Sequence, residues 1–380
     1  MKFATQLVHF DPSPGDPKRP MATPIYQTAT FDQVHADSFA EYDYSRSGNP
    51  TRRVLEDQMA RLEGGSRGFA FSSGMAAIST ITSLLKSGDE IVADWDLYGG
   101  TSRLFAKVLS RSGIAVRYVD ATNLKSVAEQ ITPATRLIFV ESPTNPLLRV
   151  LDLAAIAEIA DKGSILFCVD SSTMSPYLQN PLALGADIVV HSATKFLCGH
   201  SDVTGGVVVV KDDILGKEIQ FLQNAQGNAL GPFDSFLLLR GLKTLKLRLD
   251  AQQKNAVKIA DFLAAHAKVN AVYYPGLPSH SGYDAQTKQA RGGGAVVGFT
   301  VGSTAAAKRI AENTKLFKIA VSFGSVNSTI SIPYVMSHAS VPAEDRSTRG
   351  IPQDLLRLSV GVEDAEDLIA DLEEQLDGLV

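Results

Sequence analysis

The fold of this chain is indicated by I-L-F-C-V-D-S-S-T-M-S-P at 165–176 and A-D-I-V-V-H-S-A-T-K-F-L-C-G-H-S-D at 186–202. Each stretch contains a short apolar run of the kind that forms a buried β-strand. Polar residues follow each run directly: Asp170 follows the first, and S-A-T-K at 192–195 follows the second. Ligands of parallel sheets lie beyond the carboxyl ends of the strands. We therefore expect both groups of polar residues to face one crevice.

The alternation of short apolar runs with helical segments extends along the chain from Thr51. It begins with a helix that has its apolar residues on one face and ends at Gly64-Gly65. Strand-like runs and helices then follow one another, which is typical of an α/β fold with a mainly parallel sheet and helices on both faces. Polar residues after the other runs, at 72–74, 94–98 and 141–145, belong to the same predicted crevice.

The length of 380 residues is large for one hydrophobic core, so the chain is predicted to have several parts. Residues 1–48 carry five prolines between positions 12 and 24, which predicts an irregular N-terminal arm that packs against another surface, such as a second subunit. Residues 49–247 would form the large domain. A long amphipathic helix is predicted from about residue 236 to 266, and residues 248–380 would form a smaller α/β C-terminal domain.

The composition excludes several classes of protein. Hydrophobic residues make up 44% and charged residues 20%, and the net charge of -5 comes without a basic run, which argues against nucleic acid or an anionic membrane as a partner. Cys168 and Cys198 are too few for a disulfide framework, and no apolar run is long enough to span a bilayer. The seven histidines have no metal-site spacing, so no metal is predicted. We expect a cytoplasmic protein.

The polar residues of the two opening stretches suit one cofactor. Lys195 can form a Schiff base with an aldehyde, Ser192 and Thr194 can bond a phosphate, and Asp170 can hold the proton of a pyridinium ring. Taken singly, the acid reads as a strand-end turn residue and the lysine as a surface residue. Together they favour pyridoxal 5'-phosphate, and with it an enzyme that cleaves or forms bonds on amino acids.

Two further groups support this cofactor only in combination with the first. Gly74 and Met75 lie where a strand turns into a helix, and the free N–H groups of such a turn favour an anion. Tyr98 follows another strand and could stack on a flat ring, although a lone loop tyrosine is more often structural. The sequence contains neither G-x-x-x-x-G-K-[ST] nor G-x-G-x-x-G after a strand, which weakens a nucleotide interpretation.

The letters S-x-x-K allow a different enzyme class. In serine acylases they supply a nucleophile and a base, which would here be Ser192 and Lys195. The S-D-N and K-T-G elements that accompany them in those enzymes are absent from the sequence, so this alternative is disfavoured.

At this point the chain is identified as resembling, over nearly its whole length, the pyridoxal-phosphate enzymes of the transsulfuration (Cys/Met metabolism) family. The matching motifs are Y-S-R-S-G-N-P-T at 44–51, S-S-G-M-A-A at 72–77, D-L-Y-G-G at 96–100, E-S-P-T-N-P at 141–146, S-A-T-K-F-L-C-G-H-S-D at 192–202, R-G-L-K-T-L at 240–245 and L-R-L-S-V-G-V-E at 356–363. The resemblance implies the aspartate aminotransferase-like fold of PLP-dependent transferases, fold type I. It also implies a homotetramer, a dimer of dimers whose paired subunits share active sites.

The resemblance assigns a role to each matching residue. Lys195, Asp170 and Tyr98 would be catalytic, as the Schiff-base lysine, the pyridinium partner and the stacking ring. The implied cofactor-binding residues are those three with Gly74, Met75, Ser192 and Thr194, and with Tyr44 and Arg46 reaching the phosphate of the neighbouring subunit. The implied substrate-binding residues are Arg357, which would clamp the α-carboxylate, Asn145 and Ser322. One departure is Ser171, which stands where the family usually has asparagine.

The segment A-V-S-F-G-S at 320–325, continued by I-P-Y-V-M-S-H-A-S-V-P-A-E at 332–344, is most similar to that of the cystathionine β-lyases. This similarity implies a carbon–sulfur lyase that cleaves L-cystathionine by β-elimination to homocysteine, pyruvate and ammonia, a step of methionine biosynthesis. The γ-lyases and γ-synthases have glutamate where this chain has Val321. They remain alternatives, and a methionine γ-lyase is disfavoured by Gly100. A pyridoxal-phosphate-binding regulator without turnover is a rival from another class.

Overall fold

A computed structural model describes residues 1–337, 339, 346 and 349–379 of the chain. Two β-sheets organise these residues. The strands in chain order are β1 (Arg67–Phe71), β2 (Glu90–Asp94), β3 (Ala115–Val119), β4 (Thr135–Glu141), β5 (Leu166–Asp170), β6 (Ile188–Ser192), β7 (Gly206–Val210), β8 (Ala271–Tyr273), β9 (Val296–Thr300), β10 (Lys318–Ile319), β11 (Thr329–Ser331) and β12 (Leu356–Ser359).

Helices alternate with the strands through most of the chain. They are α1 (Phe3–Val8), α2 (Pro50–Glu63), α3 (Gly74–Thr82), α4 (Gly99–Lys107), α5 (Leu124–Glu129), α6 (Leu153–Lys162), α7 (Ser175–Leu178), α8 (Asp213–Gln226), α9 (Pro232–Leu242), α10 (Leu245–Ala265), α11 (Tyr283–Gln289), α12 (Thr304–Asn313) and α13 (Ala365–Asp377). Short 3₁₀ helices lie at Leu109–Ser112 and Pro181–Leu184.

The ends of α2 show how the sequence sets these elements. The side chain of Asn49 accepts hydrogen bonds from the backbone N–H groups of Thr51 and Arg52, and proline occupies the first helical position, where no N–H is needed. The helix ends at Gly64, which has a φ of 72°, a left-handed conformation that glycine adopts at little cost. The helix predicted from Thr51 to the glycine pair is therefore confirmed.

The large sheet has the strand order β1-β7-β6-β5-β4-β2-β3. Strands β3, β2, β4, β5 and β6 pair in parallel, and β7 is antiparallel to both of its neighbours. This arrangement confirms the prediction of a mainly parallel sheet. Glu141 pairs in register with Asp170, and Asp170 with Val190. The carboxyl ends of β4, β5 and β6 therefore meet at one edge.

Apolar side chains cover both faces of the large sheet. Val207 and Val209 of β7 lie in one buried cluster with residues of α2, whereas Val208 and Val210 lie in another with residues of α3. All four valines have no exposed surface. Each valine buried in this way stabilises the fold by about 1.5–3 kcal/mol. Burial on both faces explains why β7 reads as a continuous apolar run rather than an alternating one.

The second sheet has the order β10-β11-β12-β9-β8 and is antiparallel apart from the pair β10–β11. Its apolar residues form a buried cluster with residues of α10, α12 and α13. Arg357 projects from its central strand, β12. This sheet therefore delivers an arginine that lies 162 positions beyond Lys195 in the sequence.

One predicted helix is wrong in its extent. The stretch from about residue 236 to 266 forms two helices, α9 and α10, with Lys243 and Thr244 between them. At the break the carbonyl oxygen of Gly241 accepts the backbone N–H of Thr244, three residues on, at 3.2 Å and Nη2 of Arg248 at 2.9 Å, so the regular helical hydrogen bonding is interrupted there. The predicted boundary at residues 247 and 248 falls inside α10, and the division into domains stays a prediction.

The arm from His9 to Gly48 has no helix or strand, and its backbone folds back on itself at a bridge between Thr30 and Tyr44. Several of its apolar side chains face outward: Met21, Val34 and Phe39 are 93%, 91% and 70% exposed. Within the described part of the chain, none of the helices has both the length and the apolar character needed to cross a bilayer.

Candidate active site

A cavity of about 610 Å³ opens at the carboxyl ends of the large sheet, and its far wall comes from residues 321–323 and Arg357. It contains nearly all of the residues that the sequence pointed to. The predicted residues that line it are Gly74, Met75, Tyr98, Asn145, Asp170, Ser192, Thr194, Lys195, Ser322 and Arg357.

Lys195 lies in the turn that follows β6, and its Nζ donates a hydrogen bond to Oγ of Ser322 at 2.5 Å. The ring of Phe323 lies 4.8 Å from the same nitrogen. Burial, and after it the positive charge of Arg357, lowers the pKa of Lys195 to about 8. The lowered pKa increases the fraction of Lys195 that is an uncharged amine near neutral pH.

The loop between β10 and β11 packs closely against the backbone of this turn. Gly324 has a φ of 92°, and a Cβ there would lie 2.7 Å from the backbone nitrogen of Phe196. Ser322 has a φ of 79°, a conformation that costs a residue with a side chain about 1–3 kcal/mol. The strained backbone of Ser322 and its hydrogen bond to Lys195 occur at the same residue.

Asp170 ends β5 and is almost fully buried. Its Oδ1 accepts hydrogen bonds from the backbone N–H of Ser172 at 3.0 Å and from the Ser172 hydroxyl at 2.6 Å. The same hydroxyl accepts the backbone N–H of Ser192 at 2.7 Å, which ties the ends of β5 and β6 together. The departure at Ser171 leaves these bonds intact, because its hydroxyl donates instead to Gln179 at 3.3 Å.

The first turn of α3 has free N–H groups beside the cavity. Ser73 caps the helix and accepts the N–H of Ala76 at 3.0 Å. The N–H groups of Gly74 and Met75 make no hydrogen bond within the described residues. A Cβ on Gly74 would lie 3.0 Å from Cβ of Ser192, so glycine permits this close approach. Unpaired N–H groups at a helix N-terminus are suited to an anion.

Tyr98 precedes α4, and its backbone N–H donates to Oε2 of Glu141 at 3.1 Å. Its ring is 40% exposed at the cavity wall. Gly100 leaves room for the ring, since a Cβ there would lie 2.4 Å from Cε1 of Tyr98. Glu141 is buried, and this burial, followed by the negative charge of Asp170, raises its pKa well above the ordinary value.

Arg357 is buried and paired with neutral groups. Its Nη1 donates to Oδ1 of Asn145 at 2.7 Å, and its Nη2 donates to the carbonyl oxygen of Ser322 at 2.9 Å. Its Nε is buried with no partner in the described part of the chain. A buried guanidinium without a carboxylate partner is a binding site for an anionic group.

Comparison with known proteins decides the family. The model for the Cys/Met metabolism PLP-dependent enzymes matches residues 4–377 of this chain. The chain belongs to this family. Membership confirms the predicted family, the enzyme class and the cofactor, pyridoxal 5'-phosphate.

Relatives and solved structures agree with this assignment. The chain is 53% identical over 370 residues to the chloroplastic cystathionine β-lyase of Arabidopsis thaliana, covering 97% of this chain and 80% of the relative. It is 47% identical over 379 residues to a cystathionine γ-lyase of Bacillus subtilis, covering 100% of both chains. The crystal structure of cystathionine γ-lyase from Lactobacillus plantarum complexed with L-serine has a TM-score of 0.97 at 45% identity, covering 99% of each chain. The likeness confirms the predicted PLP-dependent fold type I.

The cavity of this Cys/Met metabolism enzyme fits the cofactor. The free N–H groups at α3 suit a phosphate, and Lys195 offers an amine for an aldehyde. Oδ2 of Asp170 accepts no hydrogen bond within the described residues, so it is available to a pyridinium N–H. Phosphate, aldehyde and ring nitrogen therefore each find a matching group.

Two predicted residues lie outside the cavity of their own chain. Arg46 donates from Nη1 to the carbonyl oxygen of Asn224 at 2.6 Å and to its Oδ1 at 2.9 Å, and it lies over the ring of Tyr44. Neither residue lines the cavity. Their predicted reach to a neighbouring subunit is not tested by a single chain.

Sequence reasoning missed roles for two cavity residues. Glu141 belongs to the predicted group of polar residues that follow strands. Its contact with Tyr98 could not be predicted, because it requires β4 and β2 to be neighbours in the sheet. Arg103 is an exposed residue of α4 that lines the cavity, five positions after Tyr98. The five-residue spacing from Tyr98 indicates that Arg103 faces the cavity only when the start of α4 at the cavity is known. Of the motif at 332–344, His338 and residues 340–344 lie outside the described residues.

Proposed function

We propose that the protein is a carbon–sulfur lyase that cleaves L-cystathionine by β-elimination. One observation carries the proposal: Ser322 joins Lys195 to Arg357, accepting from the lysine through Oγ and from the arginine through its carbonyl oxygen. A base and a carboxylate-binding group are thereby held at a fixed separation. This arrangement suits an α-amino acid whose carboxylate binds Arg357 while its Cα hydrogen faces Lys195.

Arg357 is placed to orient the substrate. Asn145 and Ser322 each take one N–H group of the guanidinium, and Nε together with the remaining N–H groups is left for a carboxylate. Bidentate binding fixes the direction of the carboxylate as well as its position. Arg103 is a second cation at the cavity, available to the second carboxylate that cystathionine carries.

Lys195 is the group that would accept the Cα proton at Nζ. Its lowered pKa leaves it able to do so near neutral pH, and the hydroxyl of Ser322 directs it. When bound, pyridoxal phosphate supplies an electron sink for the charge left on Cα. Asp170, whose Oδ2 accepts no hydrogen bond within the described residues, would hold the pyridinium proton and so favour this role.

The proposed reaction consumes one water. The Cα–H and Cβ–S bonds of the cysteine half break, the sulfur leaves with homocysteine, and hydrolysis of the remaining three-carbon unit gives pyruvate and ammonia. The 53% identity to the cystathionine β-lyase of Arabidopsis thaliana supports this direction of cleavage.

Cleavage on the other side of the sulfur is the second candidate. The 47% identity to the γ-lyase of Bacillus subtilis over the full length supports it. It would release cysteine, 2-oxobutyrate and ammonia. Val321, which is 67% exposed and lines the cavity, offers no group to assist a second proton transfer at Cβ, and this favours β-elimination.

The enzymatic assignment is tested by mixing cofactor-loaded protein with L-cystathionine. A keto acid and a thiol should form, and Lys195→Ala should lower turnover by about a thousandfold or more. Lys211→Ala, which removes a lysine at the far end of β7, is the matched control and should retain turnover. Near-normal activity of Lys195→Ala would contradict the assignment of the protein as an enzyme of this type. Release of no keto acid by the unaltered protein would favour a regulator instead.

We also propose a homotetramer built from two dimers, with Tyr44 and Arg46 of one subunit completing the phosphate site of the next. The exposed apolar residues Met21, Val34 and Phe39 of the arm support an interface there.

We propose that each subunit has three parts: the arm (1–48), the large domain (49–247) and the C-terminal domain (248–380). The two buried free thiols, Cys168 and Cys198, support a reducing compartment such as the cytoplasm.

A further inference from the structure

Two carboxyl groups lie side by side at the inner edge of the cavity. Glu141 and Asp170 are the last residues of neighbouring parallel strands and pair in register. Side chains at paired positions of parallel strands point to the same face of the sheet. Both are buried, with 3% and 7% of their surface exposed, and both line the cavity.

The two carboxyl groups differ in the hydrogen bonds that stabilise a charge. Asp170 accepts two at one oxygen, both from Ser172, and one of these comes from a hydroxyl. Glu141 accepts one, from the backbone of Tyr98, and neither acid forms an ion pair with a described residue. The pyridinium nitrogen of the family's cofactor requires the charge on Asp170. Two adjacent buried carboxyl groups cannot both ionise cheaply.

The other charged groups around Glu141 act in both directions. Asp94 and Asp96 at the end of β2 oppose its ionisation, and Lys195 and Arg357 across the cavity favour it. Burial is the largest effect, and it favours the neutral acid. Burial raises the pKa of Asp170 too, and the two hydrogen bonds from Ser172, followed by the charges of His191 and Lys195, oppose that rise. Asp170 has more hydrogen-bond donors than Glu141, which favours the charge on Asp170.

We propose that Glu141 is a positioning residue that works as a neutral carboxylic acid. Through Oε2 it holds the backbone of Tyr98, and thereby the ring at the cavity wall. Because Glu141 stays protonated, Asp170 is the one negative charge at this edge of the cavity. A second negative charge there would raise the pKa of Lys195 and weaken it as an acid–base group near neutral pH. The inference deepens the proposed function, on which it rests, by adding a residue to the same site.

The protonation state is tested on the full-length, cofactor-loaded enzyme without substrate. Infrared spectra of the unaltered enzyme should show a carboxylic-acid C=O band near neutral pH that Glu141→Gln lacks. Glu90→Gln is the matched control, because ion pairing with Arg117 lowers the pKa of Glu90 to about 2, and it should leave the band in place. The absence of any loss in this spectral region between the unaltered enzyme and Glu141→Gln would overturn the proposal; a band common to both belongs to another buried acid, such as Asp94, whose pKa burial raises to about 7.

A second readout is the pH titration of the bound cofactor's absorbance. Glu141→Gln exchanges one neutral group for another and should leave the midpoint unchanged. A fall of about one pH unit or more would instead show that an ionised carboxylate had been removed, and would contradict the proposal.

The positioning role is tested by circular dichroism of the bound cofactor. The signal should persist in Glu141→Gln, which keeps an acceptor for Tyr98, and decrease in Glu141→Leu. Equal signals in the two variants would contradict the positioning role. None of these measurements uses cystathionine. A failure of the proposal on Glu141 can therefore be distinguished from a failure of the proposed reaction.

Discussion

At the scale of single residues, Ser322 connects the two groups that act on the substrate. Its hydroxyl accepts from Lys195 and its carbonyl from Arg357, although the three residues are far apart in the sequence. Its backbone has a left-handed φ of 79°, and with this conformation its hydroxyl and carbonyl oxygens contact two cavity residues. Backbone strain at this residue is therefore linked to the geometry of the site rather than to the stability of the fold.

Two substitutions separate these contributions of Ser322. Ser322→Ala removes the hydroxyl and keeps the strained backbone, so kcat should fall by about tenfold through loss of the hydrogen bond that directs Lys195. Ser322→Gly also removes the hydroxyl but relieves the strain, so it should unfold with a free energy about 1 kcal/mol higher than the alanine variant. Urea denaturation and steady-state kinetics measure the two effects. Equal stability of the variants would show that residue 322 is not strained.

The pKa of Lys195 predicts how the rate depends on pH. A lysine that must accept a proton is inactive when protonated, so kcat should rise with pH through a midpoint near 8 before it levels off. Arg357→Gln removes a positive charge that lowers this pKa, and the midpoint of the rise should move upward. The measurement is kcat at saturating substrate across the pH range. A flat profile between about pH 6 and pH 9 would contradict the assignment of Lys195 as the base.

At the scale of elements, the site depends on how closely β7 approaches the turn before α3. Gly206 begins β7, and a Cβ there would lie 2.3 Å from the backbone oxygen of Ser73. Backbone atoms cannot move aside as a flexible side chain can. The packing of β7, which lies outside the cavity, therefore fixes the position of the free N–H groups of Gly74 and Met75.

Gly206→Ala should push this turn away from β7. We expect the free energy of unfolding to fall by about 1–3 kcal/mol and the affinity for pyridoxal phosphate to fall with it. Gly231→Ala is the control, because a Cβ at that position meets no atom within 4 Å and should leave cofactor affinity unchanged. Cofactor titration by fluorescence and urea denaturation provide the measurements. A Gly206→Ala variant with unaltered cofactor affinity would contradict the packing explanation.

Elements also explain what could be predicted from the sequence. Asp170 and Lys195 follow apolar runs directly, and the parallel sheet brings the ends of such runs to one edge. Ser322 and Arg357 follow no such rule, because their place depends on how the second sheet packs against the first. Only the resemblance to the family indicates a role for them. The helix predicted across residues 236–266 was wrong because apolar periodicity continues through the break at Lys243 and Thr244.

At the scale of the whole molecule, the proposed tetramer would add Tyr44 and Arg46 of a second subunit to the phosphate-binding groups that each chain brings to its own cavity. The N–H groups at α3 and the hydroxyls of Ser192 and Thr194 carry no positive charge, and Arg46 of the same chain is bound to Asn224. Sequence alone cannot show which subunit an arm contacts. The motif around Tyr44 and Arg46 could be recognised, whereas its distance from its own cavity required the structure.

Shared active sites predict complementation between inactive subunits. Arg46→Ala and Lys195→Ala should each be nearly inactive alone. In mixed dimers, one site would combine the intact Lys195 of one subunit with the intact Arg46 of the other, so activity should recover to about a quarter of the unaltered level under random pairing. Co-expression followed by activity assay measures this recovery. No recovery in proven mixed oligomers would contradict the sharing of sites.

The most direct measurement of the proposed activity is the identity of the keto acid that the cofactor-loaded enzyme releases from L-cystathionine. Mass spectrometry of the products, with Lys195→Ala as the blank, separates the two directions of cleavage. The predicted result is pyruvate together with homocysteine. Release of 2-oxobutyrate together with cysteine would contradict β-elimination and would assign γ-cleavage to the same cavity.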